Sequence, residues 1–167
     1  MRKRFETQLG FNQKPIEEVK FPKRSRDEMP PVLAGLQWMF INPEVNEAVF
    51  SILESKMGAN RLRMGRPGMD LWHILVLGVV RLALGCDYDR LEYLVHYDRL
   101  LREIMGLEGS FDDDFGSTFQ QKTISENVCY VDDEMLLEIN QVVAKYGREL
   151  FKKKRKKSSR LKPIVMF

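Results

Sequence analysis

The run from Leu71 to Leu84 constrains this chain more than any other stretch. Across these 14 residues only His73 and Arg81 interrupt an otherwise apolar series. A bilayer crossing takes roughly 20 apolar residues, so the run is too short and too polar to span one. It reads instead as a helix that is apolar almost all round and must be enclosed by other elements on nearly every side. Asp70 stands at its start and Gly85 at its end. With 167 residues, 44% of them apolar, the chain is long enough to build that enclosure as one core with tails.

The enclosing elements also read as helices. Asn42-Pro43-Glu44 has the N-cap, first-turn proline and first-turn acid of a helix start, and Val45, Ala48, Val49, Ile52 and Leu53 recur at helical spacing up to Gly58. Asp87 is positioned to cap a helix with Leu91, Leu94 and Val95 on one stripe. Leu100, Leu101, Ile104 and Met105 make a short helix that stops at Gly106. After the acidic loop Glu108 to Asp114, Thr123-Ile124-Ser125-Glu126 reads as a capping box, although Ser117-Thr118-Phe119-Gln120 fits the same pattern one turn earlier. Asp132 or Asp133 caps a last helix with Leu136, Ile139, Val143, Tyr146 and Leu150 inward. No segment alternates with period two. The expected fold is all-α, a small multi-helix domain of helix-turn-helix-like type. It has an extended, irregular arm over residues 1–35, a helical domain over 36–151 and a basic tail over 152–167.

Charge divides the chain unevenly. Residues 31–144 hold 9 Lys and Arg against 18 Asp and Glu, whereas residues 145–167 hold 10 against one. An acidic body with a cationic end points to a local electrostatic footprint. Cys86 and Cys129 are far apart and lack zinc-site spacing, so they are expected to be small core residues in a reducing, cytosolic setting. The basic start Met1-Arg2-Lys3-Arg4 is followed by no apolar segment of a secretory signal.

Specific words in the sequence go further than its periods. Gly65-Arg66-Pro67-Gly68-Met69, the series Ile74 to Leu82, Cys86-Asp87-Tyr88-Asp89-Arg90-Leu91 and Tyr97-Asp98-Arg99-Leu100-Leu101-Arg102 occur in order. They are followed by Asp113-Asp114-Phe115, Thr123 to Val128 and Glu138 to Val143. Over roughly residues 40–155 the chain resembles the N-terminal region of bacterial insertion-sequence transposases of the DDE class. The resemblance implies a helical domain that binds the element's terminal inverted repeats ahead of a ribonuclease-H-like catalytic domain. In that domain acidic residues would hold two divalent ions. The chain reaches Phe167 before such a domain could begin, so it reads as a truncated transposase with no catalytic residue and no cofactor of its own.

Three groups are the candidate DNA contacts. Lys152, Lys153, Lys154, Arg155, Lys156 and Lys157 would neutralise phosphates, competing with the plainer reading of a solvated helix end favoured by the helix dipole. Gln121, Lys122, Thr123, Ser125 and Asn127 would open a recognition helix, although Glu126 and Asp112-Asp113-Asp114 nearby repel phosphate. Arg61, Arg63 and Arg66 sit in a turn-rich linker suited to tracking a backbone or reaching a minor groove, or to pairing with local carboxylates. The aspartate triplet lacks the alternating ligands of a cation loop, and His73 and His96 lack a second ligand at helical spacing, so no metal site is expected. The expected partner is double-stranded DNA, with homo-oligomers or association with an intact transposase also open, in a bacterial, nucleoid-associated setting. The rival readings are a helical protein–protein interaction domain and a non-functional remnant.

Overall fold

The computed structural model describes residues 2–5, 14–22, 24–58, 68–107 and 119–158, with side chains omitted at 58 and 150–158. Among the described residues there are seven α-helices and no strand. The helices are α1 (Met29–Ile41), α2 (Pro43–Gly58), α3 (Leu71–Ala83), α4 (Tyr88–Tyr97), α5 (Arg99–Ile104), α6 (Gln121–Val128) and α7 (Asp133–Ser158), preceded by a 3-10 turn at Ile16–Glu18. The all-α expectation holds.

Helix α3 is the centre of the core. It packs against α1, α2, α4 and α6, and Leu71, Trp72, Ile74, Leu75, Val76, Leu77 and Val80 are all buried. Gly78 lets the chain at Val131 come close: a Cβ there would lie 2.8 Å from the Val131 side chain. Gly85 ends α3 with φ +58, a left-handed conformation that glycine adopts without a steric penalty. The chain then bends through 119° into α4. The Oδ1 atoms of Asp87, Asp98 and Asp132 accept the backbone N–H groups of Arg90, Leu101 and Met135 at 2.8, 2.8 and 2.7 Å. Asp132, rather than Asp133, therefore caps α7.

Trp72 and His73, one turn into α3, serve the end of α5. The Trp72 indole donates to the Ile104 carbonyl at 2.9 Å and the His73 Nε2–H to the Met105 carbonyl at 2.8 Å. Both carbonyls lie where a helix end has no internal partner. Phe5, Phe40 and Phe119 close round this pair, with the Phe5 and Phe119 rings edge-on to His73 at 5.5 and 5.6 Å. Burial pushes the His73 imidazole below its usual pKa, opposed by its bond to Met105.

The expected irregular arm over 1–35 is corrected in two places. Met29–Ile41 is helix, because Pro30 and Pro31 fall in its first turn, where backbone N–H groups have no intrahelical partner for proline to remove. Residues 2–5 and 14–22 are also docked. The Lys3 and Arg4 carbonyls accept from Leu71 and Trp72 N–H at 2.9 and 3.0 Å, closing the start of α3. Gln37 donates to the Ile16 and Val19 carbonyls at 2.7 and 2.9 Å while both side chains are buried. Asn42 stands at the expected N-cap position of α2, its carbonyl accepting from Asn46 N–H at 2.8 Å, but its side-chain amide donates to the Trp38 carbonyl at 2.6 Å and so finishes α1. Residues 152–158, expected as tail, continue α7. Cys86 is half-buried, and Cys129 is exposed rather than in the core.

Candidate nucleic-acid interface

Helix α6 carries one candidate group, and its geometry follows from three apolar anchors. Phe119, Ile124 and Val128 are buried at 4%, 0% and 1% exposure, which fixes which face looks outward. Phe119 before the N-cap position and Ile124 one turn inside stand where a hydrophobic staple sets the entry of a helix. The helix begins at Gln121, so the capping box at Thr123 does not form: Thr123 lies inside the first turns, and Gln120 at the cap makes no side-chain bond.

Among the five residues expected on this helix, Gln121 and Lys122 are exposed and Thr123 and Ser125 are half-buried. The Ser125 hydroxyl donates back to the Lys122 carbonyl at 2.9 Å. Asn127 is buried at 8% exposure, with its Nδ2 donating to the Thr123 carbonyl at 2.6 Å and its Oδ1 accepting from Arg2 at 2.7 Å. Both ends of that amide are engaged, so Asn127 holds the N-terminal segment to α6 and does not face a groove. Glu126 is exposed on the outward side with Lys122.

The second group lies on α7. Its first half is anchored on α2: Met135 and Ile139 are buried, and Lys56 pairs with Glu138 at 3.0 Å. The helix then continues through Lys152–Lys157 to Ser158. Consecutive helical residues are about 100° apart, so six in a row encircle the axis over roughly 9 Å. The third group, Arg61, Arg63 and Arg66, lies outside the described residues, as does the aspartate triplet Asp112–Asp114. Among the described residues no three His, Cys, Asp or Glu are grouped to hold a metal ion.

Other charged residues are committed to structure. The Arg4 guanidinium reaches Glu54 at 2.7 and 2.9 Å and Glu47 at 3.0 Å, which raises its pKa and holds both carboxyls below their usual range. Glu103 is buried at 4% exposure and accepts from Arg99 at 2.8 Å. The sequence reading passed over the outer face of α4, where Tyr93 and Tyr97 stand exposed and in ring contact at 4.8 Å. Their four-residue spacing opposite Leu91, Leu94 and Val95 was the available signal.

No family model, no curated protein and no solved structure matches the chain. Among the described residues no single helix is long and apolar enough to cross a membrane.

Proposed function

We propose that this chain binds double-stranded DNA as the N-terminal, end-binding part of an insertion-sequence transposase. The observation that carries the reading is the run of six Lys and Arg over Lys152–Lys157 at the end of α7, a helix whose first half is anchored on an acidic body. Duplex DNA presents one negative charge per roughly 1.7 Å of axis, so a cationic helical run about 9 Å long meets several phosphates at once. Only the side facing the duplex can make contact, which leaves about three of the six cations engaged. Helix α6 takes the place of the recognition helix in this helix-turn-helix-like reading, with Gln121 and Lys122 offered to base edges and Asn127 withdrawn from the set. Arg61, Arg63 and Arg66 add phosphate contacts from the linker. The chain's part is binding and assembly on the element's inverted repeats, in the cytoplasm on the nucleoid.

Fluorescence anisotropy with duplex DNA tests this. Three phosphate contacts from the end of α7 contribute about −2.7 to the log–log salt slope, so affinity is expected to fall at least about 40-fold between about 50 and 200 mM salt. Replacing Lys152, Lys153, Lys154, Arg155, Lys156 and Lys157 by glutamine, which keeps helix propensity, removes most of that slope. Gln121→Ala with Lys122→Ala leaves the slope nearly intact but removes preference for an inverted repeat over random duplex. Absence of binding at about 50 mM salt overturns the reading.

A further inference from the structure

A cleft of about 710 Å³ opens between the N-terminal end of α1, the turn joining α3 to α4, and α4 itself. Among the described residues its wall includes Asp27, Asp87 and Asp98 together with Arg90, and its rim includes Tyr93 and Tyr97. The two tyrosines are 53% and 72% exposed, with ring centroids 4.8 Å apart, and the Arg90 guanidinium lies 5.3 Å from the centre of the Tyr93 ring. Arg90, Tyr93 and Tyr97 recur at three- and four-residue spacing and form one stripe on the side of α4 away from the buried Leu91, Leu94 and Val95.

The polar groups of this cleft share a pattern. Each aspartate spends one oxygen on a backbone N–H: Asp27 on Met29 at 3.1 Å, Asp87 on Arg90 at 2.8 Å and Asp98 on Leu101 at 2.8 Å. The helix starts offset part of each charge, but among the described residues no hydrogen bond or ion pair occupies the second oxygen of any of the three. A carboxylate rim beside exposed aromatic faces suits ammonium and guanidinium groups, because both the carboxylate and the ring quadrupole attract a cation. The Arg90–Tyr93 contact already displays that chemistry within the wall. A phosphate backbone, by contrast, meets three carboxylates.

We propose that this cleft docks the cationic end of α7 from a second copy of the chain. The complement is carried by the chain itself: residues 145–157 hold eight Lys and Arg against one Glu, while residues 31–144 are net −9. Among the described residues none of α7 lines the cleft, and α7 packs chiefly on α2. Because the same cationic end of α7 is the proposed DNA contact, self-association and DNA binding compete for it. The competition rests on the DNA reading, whereas the docking itself does not.

Sedimentation velocity of the full chain, from about 1 to 100 µM, tests the docking. Concentration-dependent association is expected at about 50 mM salt and is lost at about 500 mM, where charges more than a few ångströms apart are screened. Asp27→Asn with Asp87→Asn and Asp98→Asn keeps side chains that cap helices equally well while removing three charges, and weakens association at least about tenfold. Tyr93→Ala with Tyr97→Ala does the same without altering net charge. Glu44→Gln with Asp133→Asn, which removes exposed charge elsewhere, leaves association unchanged. Circular dichroism confirms that each variant is folded. A monomer at every concentration, or association indifferent to both cleft variants, overturns the inference. Adding duplex DNA separates the two readings. Oligomers that resist duplex and never bind it uphold the docking and overturn the DNA reading, and a monomer that binds duplex does the reverse.

Discussion

Gly78 and His73 show what single positions contribute to this core. At Gly78 a methyl group would sit 2.8 Å from Val131, whereas at Gly35 and Gly147 nothing lies within 4 Å. Alanine is the better helix former by roughly 1 kcal/mol, but overpacking a fixed contact costs about 1–3 kcal/mol. Gly78→Ala is therefore expected to destabilise, and Gly35→Ala and Gly147→Ala to stabilise by about 0.5–1 kcal/mol each, read from urea unfolding midpoints. His73 carries a pH signature. Burial depresses its pKa in the folded state, so the unfolded chain takes up a proton first as pH falls through the usual histidine range near 6.5. Stability contributed by the neutral ring is fully present above that range and is lost below it, at up to about 1.4 kcal/mol per pH unit. His73→Gln retains a side-chain donor for the Met105 carbonyl, and a flattened stability profile between about pH 7.5 and 5.5 would identify His73 as the source. The carboxyls of Glu47 and Glu54, held low by Arg4, act in a separate window. Their contribution is present above the usual carboxylate range and is lost as pH falls through it.

At the scale of elements, three helix starts are closed locally by an aspartate and one is closed from a distance. Asp87, Asp98 and Asp132 cap α4, α5 and α7 through side-chain bonds, whereas Asp70 makes none and the first N–H groups of α3 are taken by the carbonyls of Lys3 and Arg4. Asp98→Ala and Asp132→Ala are each expected to cost about 1 kcal/mol, while Asp70→Ala costs only a few tenths. Deleting residues 1–5 removes both carbonyls together with the Phe5 ring. That deletion is expected to speed hydrogen exchange at Leu71 and Trp72 ahead of the rest of α3, and unchanged exchange there would contradict the closure. Local caps were legible because cap and helix are neighbours in sequence. The distant closure was not, because Lys3 and Arg4 act through backbone atoms that every residue possesses. Helix α1 was missed for a different reason: paired prolines read as breakers until it is known that they fall in a first turn.

At the scale of the whole molecule, α3 touches α1, α2, α4 and α6, so its loosening withdraws support from most of the core at once. Trp72 is fully buried within it and Trp38 is half-buried on α1. Tryptophan fluorescence and far-ultraviolet dichroism are therefore expected to report one coincident unfolding transition; separated midpoints would show that the helices do not share a single cooperative core. The same scale governs the charge. An acidic body and a cationic helix end give a small overall charge but a strong separation, which suits oriented contact with DNA or with another copy rather than uniform adhesion.

The helical class, the buried character of α3, the start of α4 and the stop of α5 at Gly106 were determined by the sequence alone, since periodicity and capping are local properties of a chain. So was the concentration of positive charge after residue 145, which is a matter of counting. Only the tertiary structure decided that Asn127 faces inward to Arg2 while Gln121 and Lys122 face out, because α6 is rotated by where Phe119, Ile124 and Val128 find their pockets. It likewise decided that Asp27, Asp87 and Asp98 share a cleft with Tyr93 and Tyr97. Asp27 and Asp98 are 71 positions apart along the chain, and the folding of α1 against α5 and of α5 against α4 brings them together.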